Sequence, residues 1–360
     1  MRQKILPLLT PALVSVAASL AQAQVGMAQW QAGSLPVTLV YPTAVAAKPQ
    51  TMGPFTLTVA PNAAPLPGRH RLIVMSHGTA GSPLPDFALA ATLVRAGFVV
   101  AQPTHAGDNH LDTRLAGPAS WQRRPAEVIA VIDALAKDAK WAPLLDLSHV
   151  GVHGMSAGGV TGLALAGAHW SILNLVRHCS EHPQDDAGFC FNGAKDGPAR
   201  AEREKQFDRA RWWPGFLFPS KIKALHGGHT PRTGEPEVRP DTRIAAVTLA
   251  VPVGAVFSTD SLARIAIPVG IVGVDQDQVL LPRFHSDGVL AHCKTCTLLT
   301  TLKGAGHFDL LSPWPASVAS QVADTQVRGG LPVHGFDPTA REAAQASIAS
   351  FFLQNLSPAQ

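Results

Sequence analysis

A serine hydroxyl becomes a nucleophile only when it is exposed, oriented and relieved of its proton during attack. The segment Val150-Gly151-Val152-His153-Gly154-Met155-Ser156-Ala157-Gly158-Gly159 has the residue types for that. A short apolar run reads as a strand, a Gly-x-Ser-x-Gly turn follows, and a small-residue helix comes next, over 157–168. Such a turn exposes Ser156 and aims it. It needs glycine at 154 and 158, where a side chain would collide with the neighbouring strand and helix. It also sets Ser156 at a helix N-terminus, where the Ala157 amide points toward developing negative charge. The competing reading is a glycine-rich turn holding an idle serine.

A nucleophilic serine needs a histidine base and an acid to orient it. The chain has 15 histidines, so placement must choose. His307 sits in Gly304-Ala305-Gly306-His307-Phe308, a glycine-flanked loop just past the last predicted strand, 297–302. His334 has no strand before it, His285 and His292 flank a predicted helix, and His153 reads as packed on the strand before the serine. The acid is expected just beyond the apolar run 267–274, where Asp275 and Asp277 both stand. Asp277 leads into Gln278-Val279-Leu280-Leu281-Pro282 and is preferred. Asp275 reads as a turn cap, and Asp260 ranks third. A second oxyanion donor is expected from Ser76-His77-Gly78-Thr79-Ala80-Gly81, with the Thr79 amide as the choice and His77 as a brace for the loop.

These residues need a frame. Short, mostly apolar runs at 71–76, 98–102, 150–153, 244–250 and 267–274 alternate with helical patterns at 87–96, 125–140 and 157–168. That alternation predicts an α/β chain with a mostly parallel sheet covered on both faces. Additional β-rich pieces stand at 35–40 and 55–59, and 338–356 closes as a helix. The rhythm breaks over 179–240, which carries two cysteines, many charges and an aromatic cluster that includes Trp212 and Trp213. We read one catalytic domain, 24–360, with that stretch inserted as a lid. The charge run 200–211 is the solvated face of a helix within it.

Hydrophobic residues make up 46% and charged residues 15%, which excludes a disordered chain. The net charge is +4, and without the first 23 residues, which hold Arg2 and Lys4, it is +2. So small a surplus leaves no footprint for nucleic acid. Residues 1–23 have a basic start, an apolar stretch broken by Pro7 and Pro11, and Ala21-Gln22-Ala23 at the end. This is the pattern of a secretory signal peptide, so a secreted or periplasmic protein without stable membrane insertion is expected. In an oxidising compartment the four cysteines read as two local disulfides, Cys179–Cys190 and Cys293–Cys296. A redox dithiol at 293–296 would need a following helix, and a strand pattern follows instead. The segment 105–112, with His105, Asp108, His110 and Asp112, invites a metal reading, but a polar loop at the mouth of a site accounts for it. His226 and His229 read the same way.

The motifs Ser76-His77-Gly78-Thr79-Ala80-Gly81-Ser82, Gln102-Pro103-Thr104-His105-Ala106-Gly107-Asp108-Asn109, Arg124-Pro125, the serine turn and Gly306-His307-Phe308-Asp309 fall in order. Together they resemble the α/β-hydrolases known as predicted dienelactone hydrolases, related to platelet-activating-factor acetylhydrolases and to secreted polyester hydrolases. The resemblance spans roughly 35–355 and implies an α/β-hydrolase fold, with Ser156 as nucleophile, Asp277 as acid and His307 as base. It implies an oxyanion hole from Thr79 and Ala157. Dienelactone hydrolases proper use a cysteine nucleophile, and no cysteine here sits on such a turn. The residue before the serine, often histidine in the family, is Met155.

The expected activity is hydrolysis of a small or polymeric carboxylic ester through an acyl-enzyme, by a monomer without cofactor or metal. Trp121, Trp212, Trp213 and Trp314 are the candidate substrate-lining residues. The alternative is an exported metal- or thiol-binding protein built on Cys293 and Cys296.

Overall fold

The computed structural model describes residues 23–191, 197–211, 241–311, 313–323, 333 and 335–356. Residues 1–22 of the expected signal peptide 1–23, with Trp212, Trp213, His226, His229 and His334, therefore lie outside the described residues.

Four strands open the chain: β1 (Gln24–Ala32), β2 (Leu35–Thr43), β3 (Lys48–Met52) and β4 (Phe55–Pro61). Six more follow: β5 (His70–Ser76), β6 (Val99–Pro103), β7 (Leu145–Met155), β8 (Ile244–Ala250), β9 (Val269–Val274) and β10 (Cys296–Leu302). Together they form a ten-stranded sheet in the order β10-β9-β8-β7-β5-β6-β2-β1-β4-β3. From β10 to β6 every pairing is parallel, while β2 runs antiparallel to both β6 and β1. The central strands are buried almost throughout, and β9 is buried at every position. That is why they read as continuous apolar runs rather than as alternating ones.

Two apolar clusters flank the sheet. On one face lie α2 (Pro118–Lys137) and α3 (Ala157–Leu165), contributing Val128, Ile132, Val160 and Leu163. On the other lie α1 (Phe87–Arg95) and the closing helix Pro338–Asn355, contributing Leu93, Ile348 and Phe352. Helix α2 begins seven residues before the expected 125–140, with Pro118 in its first turn. Its early turns bury Ser120, Trp121 and Arg124, and the charged residues among them hid the helical period. Pro125 has no amide hydrogen to give, yet the helix continues through it.

The expected insertion supplies α4 (Ile172–Glu181, which begins slightly before it), α5 (Ala187–Cys190) and α6 (Gly197–Arg211). Cys179–Cys190 staples α4 to α5, and Cys293–Cys296 ties the end of the helix Ser286–His292 to β10. All four cysteines are bonded, which leaves no thiolate for the metal- or thiol-binding alternative. Among the described residues no helix is long and apolar enough to cross a membrane.

Candidate active site

Register brings the candidate residues to one edge. Ser76, the last residue of β5, pairs with Gly154, so the loop after β5 leaves beside the serine turn. Val274 at the end of β9 pairs with Leu302 at the end of β10. The loops that carry Asp277 and His307 thus leave side by side, and the Gln276 amide donates to the Ala305 carbonyl at 2.9 Å to join them.

Ser156 stands between β7 and α3 with φ at +54°, a left-handed conformation that L side chains rarely adopt. The glycines on either side are required by space. A Cβ on Gly154 would lie 2.1 Å from the Gly158 carbonyl oxygen, and one on Gly158 would lie 1.9 Å from that of Ser76. Neither neighbour can yield, because both are backbone.

Three side chains scattered along the sequence form one hydrogen-bonded line. His307 Nε2 lies 3.0 Å from Ser156 Oγ, and His307 Nδ1 lies 2.7 Å from Asp277 Oδ2. The carboxylate can only accept, so Nδ1 carries the proton and Nε2 is free to accept from the serine hydroxyl. Asp277 and His307 are both buried. Asp277 Oδ1 accepts from the Val279 and Leu280 amides, each at 2.8 Å, which fixes the carboxylate in place. Asp275 is turned elsewhere: it accepts from the Ala305 amide at 3.4 Å and faces Lys303. Asp260 sits in the short helix Thr259–Leu262.

Thr79 lines the same cleft as Ser156 and His307, and Ala157 is the first residue of α3. By helix geometry a first-turn amide has no intrahelical acceptor. The loop that carries Thr79 is held from behind. Ala80 has φ at +55°, and its amide donates to Asp108 Oδ1 at 2.8 Å. Asp108 in turn meets the buried Arg124 guanidinium, which also donates to the His77 carbonyl at 2.5 Å. Burial, reinforced by the charges of His105 and Arg124, holds the His77 imidazole well below its ordinary range, so the ring is neutral. Its Nδ1 lies 2.7 Å from the Gly78 carbonyl, and its Nε2 accepts from the His105 amide at 3.2 Å. His77 therefore braces the loop, as its position in the sequence suggests.

Three of the four groups in the metal reading of 105–112 are taken up by other side chains. His105 is bonded to Ser76 Oγ at 2.8 Å and to Glu127 at 2.6 Å, Asp108 is bonded to Arg124, and Asp112 pairs with Arg114 at 2.9 Å. The Asp108–Arg124 pair is the part of the site that sequence reasoning missed. Both residues stand in motifs quoted above, 102–109 and 124–125, but nothing local in either says that they pair.

The cleft holds about 430 Å³. Trp121 lines it, with Leu175, Phe189 and Phe308. Trp314 does not. Its ring packs behind Phe308 and against Phe55, each with centroids 6.4 Å apart, so it belongs to the packing beside His307 rather than to the cleft wall.

No protein-family model matches the sequence, and no curated protein matches it. The three-dimensional comparison is informative. A ferulic acid esterase from Streptomyces cinnamoneus superposes over 96% of this chain and 94% of its own, with a TM-score of 0.52 and 16% sequence identity. The chain has the α/β-hydrolase fold. A dienelactone hydrolase from Anabaena variabilis also aligns, over 93% of this chain and 100% of its own, at a TM-score of 0.46 and 13% identity. In the α/β-hydrolase fold a serine on a sharp turn after a central strand stands at the carboxyl edge of the sheet. Ser156 has that position here, between β7 and α3.

Proposed function

We propose that the protein is a serine hydrolase of carboxylic esters, with Ser156 as nucleophile, His307 as base and Asp277 as orienting acid. The observation that carries this reading is the unbroken line Asp277–His307–Ser156 at 2.7 and 3.0 Å. His307 Nε2 takes the hydroxyl proton as Ser156 Oγ attacks the ester carbonyl. The amides of Thr79 and Ala157 receive the negative charge that develops on the carbonyl oxygen. Asp277 holds the imidazole tautomer and balances its positive form. The imidazolium then protonates the leaving alcohol, and an acyl-enzyme remains on Ser156. Water, activated by the same imidazole, releases the acid.

The mostly apolar cleft supports an ester with an apolar acyl or alcohol group, either a small molecule or the end of a polymer. The segments α4, α5 and α6 act as a lid over it. Two disulfides support an oxidising location, and with the leader pattern at 1–23 they favour a secreted or periplasmic enzyme.

The test is hydrolysis of a panel of p-nitrophenyl esters from acetate to long acyl chains, with a feruloyl ester, a phospholipid and a polyester film included. The wild type should cleave at least one class. Ser156→Ala should cleave none while its circular dichroism is unchanged. Equal turnover by the two proteins would refute the mechanism.

A further inference from the structure

Outside the catalytic line, the described residues hold a second chain of buried histidines and a carboxylate. Asp186 immediately precedes α5. Its Oδ2 lies 2.7 Å from His178 Nε2 on α4 and 2.9 Å from His285 Nε2 at the start of the helix Ser286–His292. Burial pushes the Asp186 carboxyl up, but the hydrogen bonds from His178 and His285 outweigh it and bring the group down to about 2. It is a carboxylate, and it can only accept. The other ring nitrogen of His285 accepts from the Gly254 amide at 3.1 Å. The His285 proton is therefore on Nε2 and points at Asp186. With that proton in place the ring offers no lone pair to a cation, so the three groups form a hydrogen-bonded clamp rather than a metal cage.

The clamp joins two parts of the cleft. Leu175 on α4 and Phe189 on α5 form one wall. His285 belongs to the segment that follows Asp277, and the Asp277 charge reaches it. Between the two parts, Gly188 lies so close to the acid loop that a Cβ there would be 2.2 Å from the Gln278 carbonyl oxygen. The disulfide Cys179–Cys190 closes the same hairpin, next to His178 at one end and at the last residue of α5 at the other.

We propose that Asp186, held by His178 and His285, is a specificity-determining positioning residue. It fixes the Leu175–Phe189 wall against the acid loop and so sets which esters the cleft accepts. This inference rests on the esterase reading above. Asp277 has its own anchors in the Val279 and Leu280 amides and in His307. Loosening the wall should therefore spare the chemistry and weaken binding of groups that reach the wall. Binding that is equal in ground state and transition state appears in KM and not in kcat.

The experiment compares p-nitrophenyl acetate and p-nitrophenyl octanoate as substrates of the wild type, Asp186→Asn, His178→Leu and His178→Gln. Near-ultraviolet circular dichroism confirms folding. Asp186→Asn and His178→Leu should raise KM for the octanoate about tenfold and leave kcat for the acetate within about threefold. His178→Gln, which keeps an N–H donor, should restore the wild-type KM. If Asp186→Asn does not fold, the His178 pair carries the test alone. Unchanged KM in folded variants overturns the proposal, as does a parallel fall of kcat on both esters. A wild type inert toward every ester of the panel overturns instead the esterase reading beneath it.

Discussion

The guanidinium of Arg124 and the carboxylate of Asp108 meet at 2.7 Å, both fully buried, behind the loop that carries Thr79. A buried ion pair is a weak source of net stability, but breaking one side of it is costly, because the remaining charge is left without a partner. Arg124→Met should therefore destabilise the protein by about 3–5 kcal/mol. In an Asp108→Asn background the same change should cost much less, since no buried charge is stranded. Urea denaturation of both single variants and the double variant measures the coupling. Additive effects would mean that the pair does not act as a unit.

The role proposed for the loop held by that pair belongs to a backbone group, not a side chain. Thr79→Ala should change kcat by less than about threefold. Thr79→Pro removes the amide, and losing one oxyanion donor should lower kcat by about 10²–10³-fold. Steady-state kinetics on a short-chain ester decides the matter. Equal losses in the two variants would contradict the role given to the amide.

The space around Ser156 makes a sharper demand. A methyl at 158 would stand 1.9 Å from the Ser76 carbonyl oxygen, with backbone on both sides. Forcing atoms into a filled core costs about 1–3 kcal/mol even where side chains can shift. Gly158→Ala should lower the melting temperature and displace Ser156, so that burst titration with a p-nitrophenyl ester finds few active sites. A full burst from Gly158→Ala would show that the turn tolerates a side chain.

One buried acid makes its own contribution to stability depend on pH. Burial raises the Asp86 carboxyl from 3.8 to about 7. The unfolded chain ionises this group first, so its favourable contribution is complete below about pH 4 and fades as pH rises toward 7. Above that the loss is constant, up to about 4 kcal/mol. Asp86→Asn should therefore be more stable than the wild type at pH 8 and close to it near pH 4. Melting temperatures across that range check the sign. A wild-type advantage at pH 8 would contradict it.

Much of this architecture is legible in the sequence, and the reason is local. Ser156 is marked by a turn whose glycines are required by backbone clearance, Asp277 follows β9, whose apolar run is continuous because both faces are covered, and His307 follows the half-exposed edge strand β10 on a glycine-flanked loop. The first strand pairings were only partly visible: β1 and β3 hold mixed residues near the sheet edge, where alternation is weak. Trp314 was misplaced because a sequence does not say on which side of His307 a ring will pack. Asp108 and Arg124 lie on different elements, and no local pattern announces that two charges will be buried together. The same holds for Asp186 and His285, which only the folded chain brings together.

The central claim is that one hydroxyl, at Ser156, is activated by His307. Covalent labelling tests it most directly. A fluorophosphonate reacts with an activated serine and not with an ordinary one. Mass spectrometry of the labelled, digested protein should find the phosphonyl group on the peptide containing Ser156, with labelling lost in His307→Ala. An unlabelled Ser156, or undiminished labelling in His307→Ala, would contradict the account.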